Sequence, residues 1–134
     1  MPLVRIDLRR GKPAGYATAI GEAVHRAMVE TIGVPARDHF QVITEHTPQE
    51  MVHDPGYLGI TRSDSVVFIQ IFLSAGRTTE QKQALYARIA ELLAEKPGMR
   101  REDVMIALVP NARDDWSFGN GEAQYVIMPK EQWK

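Results

Sequence analysis

The chain contains no cysteine, which excludes disulfides, thiolate nucleophiles and cysteine-ligated zinc and is compatible with a reducing compartment. It also lacks an excess of either charge. Its 16 Lys+Arg face 17 Asp+Glu, and the basic residues are spread along the sequence rather than gathered into a nucleic-acid footprint. No apolar run approaches the roughly 20 residues of a membrane-spanning helix. The amino-terminal stretch LVRIDLRR breaks its apolar residues with charges, unlike a signal or transit peptide. These absences predict a cytoplasmic protein that binds neither nucleic acid nor membrane. What is present, 134 residues of which 44% are hydrophobic and 25% charged, suits one globular domain spanning residues 1–134 with a substantial core.

Pro2 follows the initiator Met1 directly. Methionine is removed before a small second residue such as proline, and the mature chain is then expected to begin with a secondary amine. An internal proline nitrogen is an amide without basicity or N–H. A terminal one takes up a proton, releases one, or attacks a carbonyl, so Pro2 is a candidate general base built into the backbone.

The sequence also contains an approximate repeat. Sliding it by 65 residues pairs Ile6 with Ile71, Leu8 with Leu73, Gly11 with Gly76, Ala19 with Ala84, Glu30 with Glu95, Gly33 with Gly98, Asp38 with Asp103 and Gly56 with Gly121. The glycine pairs fall at element boundaries, where a tight turn calls for positive φ. Residues 2–60 and 67–125 are therefore read as two versions of one unit.

Each unit has the same layout. Leu3 to Leu8 is a β-rich run. Tyr16, Ile20, Val24, Ala27, Met28 and Ile32 follow at helical spacing, Gly33 and Pro35 stop the helix, and Phe40 to Thr44 is the second strand. In the other half Val66 to Leu73 is the strand, Thr78 with Gln81 forms a capping-box signature, and Leu85, Ile89, Leu92 and Leu93 form the buried stripe. Pro97-Gly98 ends that helix and Val104 to Val109 closes the unit. Asp54-Pro55-Gly56 and Asn120-Gly121 then mark a hairpin after each unit. The expected fold is α+β: two tandem β-α-β units with right-handed crossovers, a four-stranded mixed sheet, two helices on one face and short hairpins. The apolar run from Val66 to Leu73 predicts that the other face of the sheet is covered too. With no third layer in the chain, further subunits are the expected cover, with the hairpins as arms.

Met1-Pro2-Leu3, the twin β-α-β units, Gly76-Arg77-Thr78-Thr79-Glu80-Gln81-Lys82 and Asp115-Trp116-Ser117-Phe118-Gly119 together resemble the tautomerase superfamily, over essentially the whole chain. The long-chain branch that includes malonate semialdehyde decarboxylase is the most similar. The resemblance implies a homotrimer, no metal or organic cofactor, and a pocket around the terminal proline for small 2-oxo or 2-hydroxy-enoic acids.

A general base works best with its pKa near the working pH. A backbone amine starts at about 7.7–8.0, with proline higher, so the site must pull it down by desolvation and by a nearby cation. Trp116 and Phe118 are candidates for the apolar wall that binds substrate, and Arg77 for the cation. Arg77 also stands at the start of the second helix, where unpaired N–H groups favour an anion and a guanidinium adds a bidentate carboxylate clamp. Lys12 is its counterpart in the first half.

Asp38 matches the place of an aspartate that the decarboxylase branch associates with catalysis. Asp103 holds the same repeat position, and an aspartate in such a turn commonly bonds backbone N–H groups, so a structural role stands beside the catalytic one. The decarboxylase pattern also resembles a two-arginine clamp, and Ser74-Ala75-Gly76-Arg77 offers one arginine. Tautomerisation is therefore preferred over decarboxylation or hydration, and a non-enzymatic trimeric binding protein is the remaining alternative. His39, His46 and His53 recur every seven residues. His39 and His46 flank opposite ends of a predicted strand, so no metal site is expected and a polar hairpin is the better account.

Overall fold

The computed structural model of the chain describes residues 2–133. Strand β1 (Leu3–Arg9) leads through helix α1 (Tyr16–Ile32) to β2 (Gln41–His46), and β3 (Val67–Ser74) leads through α2 (Thr79–Glu95) to β4 (Val104–Asn111). A short helix α3 (Gln124–Ile127) follows. The sheet order is β2-β1-β3-β4: β1 and β2 are parallel, β3 and β4 are parallel, and β1 and β3 run antiparallel down the middle.

The alternation of β1 and β3 fixes which face is buried. Val4, Ile6 and Leu8 of β1, with Val67, Ile69, Ile71 and Leu73 of β3, point toward the helices and are almost wholly buried. They meet Ile20, Val24 and Met28 of α1 and Leu85, Ile89 and Leu93 of α2. Each such side chain contributes about 1.5–3 kcal/mol of transfer free energy. The helix ends follow local chemistry. Gly33 adopts φ 70 and caps α1 through its N–H to the Met28 carbonyl. Thr78 accepts from the Gln81 N–H, while the Gln81 side chain accepts from the Thr78 N–H, giving the capping box of α2.

The opposite face of the sheet differs from the uniformly apolar surface expected. On the β3 and β4 side it shows Phe68, Phe72, Met105 and Val109, the last two exposed. On β1, however, it carries Arg5, Asp7 and Arg9, with His46 of β2 placed 2.7 Å from Asp7. The appendages differ as well. Asn120 and Gly121 take φ 60 and 68 and close a bridge between Gly119 and Glu122. Asp54-Pro55-Gly56 instead forms a side-chain turn, Gly56 N–H to Asp54 Oδ1 at 2.8 Å, leading into a 3₁₀ turn at Tyr57–Gly59.

Candidate functional site

The sheet topology brings four chain segments to one edge. Because β1 and β3 are antiparallel, the start of β1 lies beside the end of β3, with Leu3 opposite Phe72. Because each outer strand is parallel to its neighbour, the start of β2 and the end of β4 join them. The Val4 N–H donates to the Phe40 carbonyl at 3.0 Å, and the Ala75 N–H donates to the Asn111 carbonyl at 2.7 Å. Pro2, the Arg37–Phe40 segment, Ser74–Arg77 and the chain after Asn111 therefore share this edge.

Arg77 is placed by a tight turn. Gly76 takes φ 119, a conformation that side chains rarely adopt, and Arg77 Nη1 donates to the Ser74 carbonyl at 2.7 Å. Asp38 sits in a turn closed by its own N–H to the Pro35 carbonyl at 2.9 Å. Its carboxyl is pushed above the ordinary value by burial, against the pull of the Arg77 charge. Tyr125 of α3 is the third member. Burial, and then the charge of Asp38, push its phenol up to about 12 with Arg77 opposing, so it stays protonated at neutral pH and is available as a donor.

An aromatic wall stands over these groups. Trp116 and Phe118 stack with centroids 5.5 Å apart and planes 5° from parallel. Phe118 meets Tyr125 edge-on at 4.9 Å, and Tyr125 meets Trp133 at 4.4 Å. Polar bonds hold the wall in place. Trp116 Nε1 donates to Asn111 Oδ1 at 2.7 Å, and the Gln124 side chain bonds the Phe118 N–H and the Gly119 carbonyl.

Two cavities, of about 330 and 340 Å³, share Pro35, Asp38, Tyr125 and Trp133 as common wall. The first is lined further by Phe40, Phe118 and Met128, and the second by Ser74, Arg77, Arg113 and Lys130. Of the residues picked out in the sequence, Asp38, Arg77 and Phe118 line this space. Trp116 backs Phe118 instead of facing the cavity. Pro2 is buried at the same edge of the sheet and is outside both cavity walls.

The residues paired by the 65-residue offset have diverged. Asp103 is 1% exposed and accepts from the Ser63 N–H at 2.7 Å and the Ser63 hydroxyl at 2.6 Å, with Arg100 Nη1 at 3.6 Å. Lys12 bonds the Ser65 hydroxyl and lies 5.3 Å over the Tyr16 ring. Neither lines the two cavities. The histidines are also occupied locally: His39 stacks on His25 at 4.0 Å and His46 contacts Asp7. Sequence reasoning missed Tyr125, Arg113, Lys130 and Trp133. The available signal was the Asn120-Gly121 turn, which folds the chain after Phe118 back upon it.

Two family models, each described as a tautomerase enzyme, match residues 38–119 and residues 2–61. A probable tautomerase of Bacillus subtilis (strain 168), YusQ, is 44% identical over 126 residues, covering 94% of this chain and 99% of that protein. The chain belongs to the tautomerase family. Among solved structures, FG41 malonate semialdehyde decarboxylase inhibited by 3-bromopropiolate is 48% identical, with 92% of this chain and 94% of that one superposed at a TM-score of 0.87. A fused 4-OT described as a symmetric trimer shares the fold at 24% identity and a TM-score of 0.75, over 92% of this chain and 98% of its own. As a tautomerase-family member the chain has a four-stranded mixed sheet with its helices on one face, and among the described residues no helix is long and apolar enough to cross a membrane.

Proposed function

We propose that this tautomerase-family chain is a cofactor-independent keto-enol isomerase of small 2-hydroxy-enoic and 2-oxo acids. The convergence of Asp38, Arg77 and Tyr125 on one cavity, at the edge where Pro2 begins β1, carries this reading. Once Met1 is removed, the Pro2 nitrogen is a free amine, lowered toward neutrality by burial and by the Arg77 cation. Arg77 takes the substrate carboxylate, with its second nitrogen anchored on Ser74. The neutral Pro2 amine accepts the enol hydroxyl proton and returns a proton to carbon. One O–H bond breaks, one C–H bond forms, and nothing else is consumed. The Tyr125 hydroxyl donates to the substrate oxygen as negative charge develops there.

Decarboxylation or hydration of a 3-oxo acid is the second reading. It is favoured by Asp38 lying in the cavity wall beside Tyr125, where a carboxylate can orient a carbonyl or a water. The likeness to malonate semialdehyde decarboxylase points the same way.

The functional particle in this reading is a cytoplasmic homotrimer. Its support is the bare sheet face, where Leu3, Val42, Met105 and Val109 stay exposed in a single chain. Sedimentation equilibrium tests it, and a stable monomer at micromolar concentration refutes it.

The deciding experiment follows the ultraviolet decay of phenylenolpyruvate and 2-hydroxymuconate with mature protein, next to a malonate semialdehyde assay. Rapid ketonisation that disappears when the terminal amine is acetylated supports the proposal. Full activity after acetylation overturns the role of Pro2.

A further inference from the structure

Helix α1 reaches the Asp38 turn through a side chain that lines neither cavity. His25 Nε2 donates to the Ala36 carbonyl at 2.9 Å, and the His25 ring stacks on His39 with centroids 4.0 Å apart and planes 7° from parallel. One ring therefore grips the chain two residues before Asp38 and one residue after it. A carbonyl only accepts, so the proton sits on Nε2. Burial, and then the charge of His39, hold His25 below its ordinary value and keep it neutral at pH 7. The other nitrogen, Nδ1, is buried with no hydrogen-bond partner among the described residues. Packing alone gives no reason to accept that cost on a helix face.

The second unit shows what this ring adds. The 65-residue offset sets Ala90 against His25 and Asp103 against Asp38. At Asp103 the carboxylate itself does the tying, to Ser63. At Asp38 the tie comes from α1 and falls on the neighbouring residues, while Asp38 lines both cavities. Main-chain bonds shape the turn, from the Asp38 N–H to the Pro35 carbonyl and from the Val4 N–H to the Phe40 carbonyl, and neither of these fixes it against α1.

We infer that His25 is a positioning residue, which holds the Asp38 turn against helix α1 and so fixes where the Asp38 carboxyl stands in the cavity wall. The inference deepens the isomerase reading and rests on it for the part Asp38 plays in turnover. The placement of the carboxyl is a separate matter and is measured separately.

Three substitutions divide the two contacts. His25→Ala removes both, His25→Phe keeps a ring to stack on His39, and His25→Gln keeps a donor for the Ala36 carbonyl. In the enol-decay assay, counted per folded molecule, His25→Ala is expected to lower kcat about five- to twentyfold with KM changed less than about twofold. The Phe and Gln variants should each exceed the Ala variant by about threefold. Carbon-13 NMR of the aspartate-labelled chain follows the Asp38 carboxyl itself. Burial raises its pKa in the native chain, so a loosened turn that admits water should increase its acid dissociation constant about threefold or more in His25→Ala. Arg77, Arg113, Tyr125 and Lys130, which line the same cavity, stay unaltered in every variant. Undiminished kcat in His25→Ala overturns the inference, as does a fall in kcat with the Asp38 titration unmoved, a KM loss as large as the kcat loss, or Phe and Gln variants no better than Ala. A shifted Asp38 titration in a chain that turns over no enol rejects the isomerase reading and leaves the anchor standing.

Discussion

Asp38 and Asp103 allow a sharp experiment, because one residue type stands just ahead of each outer strand with opposite surroundings. Asp103 is almost wholly buried, and both of its oxygens accept from Ser63, at 2.7 and 2.6 Å. Asp103→Asn keeps the shape, replaces one acceptor with a donor and removes the charge that faces Arg100. Hydrogen bonds to charged groups contribute about 1.5–3 kcal/mol each, and part of one survives in the amide, so the expected loss is about 2–3 kcal/mol. For a chain of this size that lowers Tm by on the order of 6–15 °C. Asp38 behaves in the opposite sense. Its folded-state pKa is raised, so its favourable contribution exists below the unfolded value and is lost as pH rises through the folded one. At neutral pH its buried charge therefore opposes folding, and Asp38→Asn should leave Tm unchanged or slightly higher. Activity should fall at least tenfold, about 1.4 kcal/mol of barrier, because this carboxyl shares the cavity wall with the Arg77 and Tyr125 groups that hold the substrate. Differential scanning fluorimetry and the enol-decay assay on the two variants, at pH 7, give four numbers. If Asp38→Asn loses stability as Asp103→Asn does and keeps its activity per folded molecule, Asp38 is a turn residue and the proposed site loses a member.

Tyr125→Phe removes the donor and keeps the ring against Phe118 and Trp133. It should cut kcat about 10- to 100-fold with KM nearly constant, and a raised KM with kcat unchanged would mark Tyr125 as a binding residue. Trp116→Ala should leave Phe118 unsupported and admit water, raising the amine pKa and moving the acidic limb of the kcat/KM profile to higher pH. An unchanged profile with an unchanged particle mass would contradict this. His25 is held below its ordinary value of 6.5 by burial and then by the charge of His39, while the Ala36 carbonyl favours its protonation. The unfolded chain therefore takes up the proton first as pH falls, and the stability contribution is complete above pH 6.5 and lost below it. Thermal unfolding between pH 5 and 7.5 should show this slope, and His25→Gln should flatten it.

The strands and long helices were legible because their side chains repeat with clear periods. Val4, Ile6 and Leu8 alternate, Leu85, Ile89, Leu92 and Leu93 lie on one helical face, and Thr78 with Gln81 marks a start that tertiary packing had no reason to override. The polar side of β1 was harder to read. Arg5, Asp7 and Arg9 were visible in the sequence, yet the apolar run of β3 dominated the expectation for the whole face. The last part of the site was not legible because α3 spans only Gln124–Ile127, too short for a periodic signal, and is held by side-chain bonds from Gln124. Tyr125 gains its surroundings from Asp38 and Arg77, residues far away in the chain. Such proximity follows from the antiparallel seam of β1 and β3, and a local window of sequence does not contain it.

That seam makes the two ends of the sheet near-equivalents, and the chain has treated them unequally. At one end the equivalent positions are closed by short polar ties: Lys12 to Ser65, Asp103 to Ser63, and Arg9 to Asp64 at 2.8 Å. At the other end they open onto the shared cavities. A chain built from two like units is therefore tied by polar contacts at one end of its sheet and opens onto the shared cavities at the other, and the tied end bears the ordering that the open end gives up. Residues at the open mouth can then change identity with little effect on folding, while an equivalent change at the sealed end unfastens the sheet. Variation in substrate among relatives of this shape is accordingly expected to gather at the end of the sheet where Pro2 begins and to be scarce around Ser63.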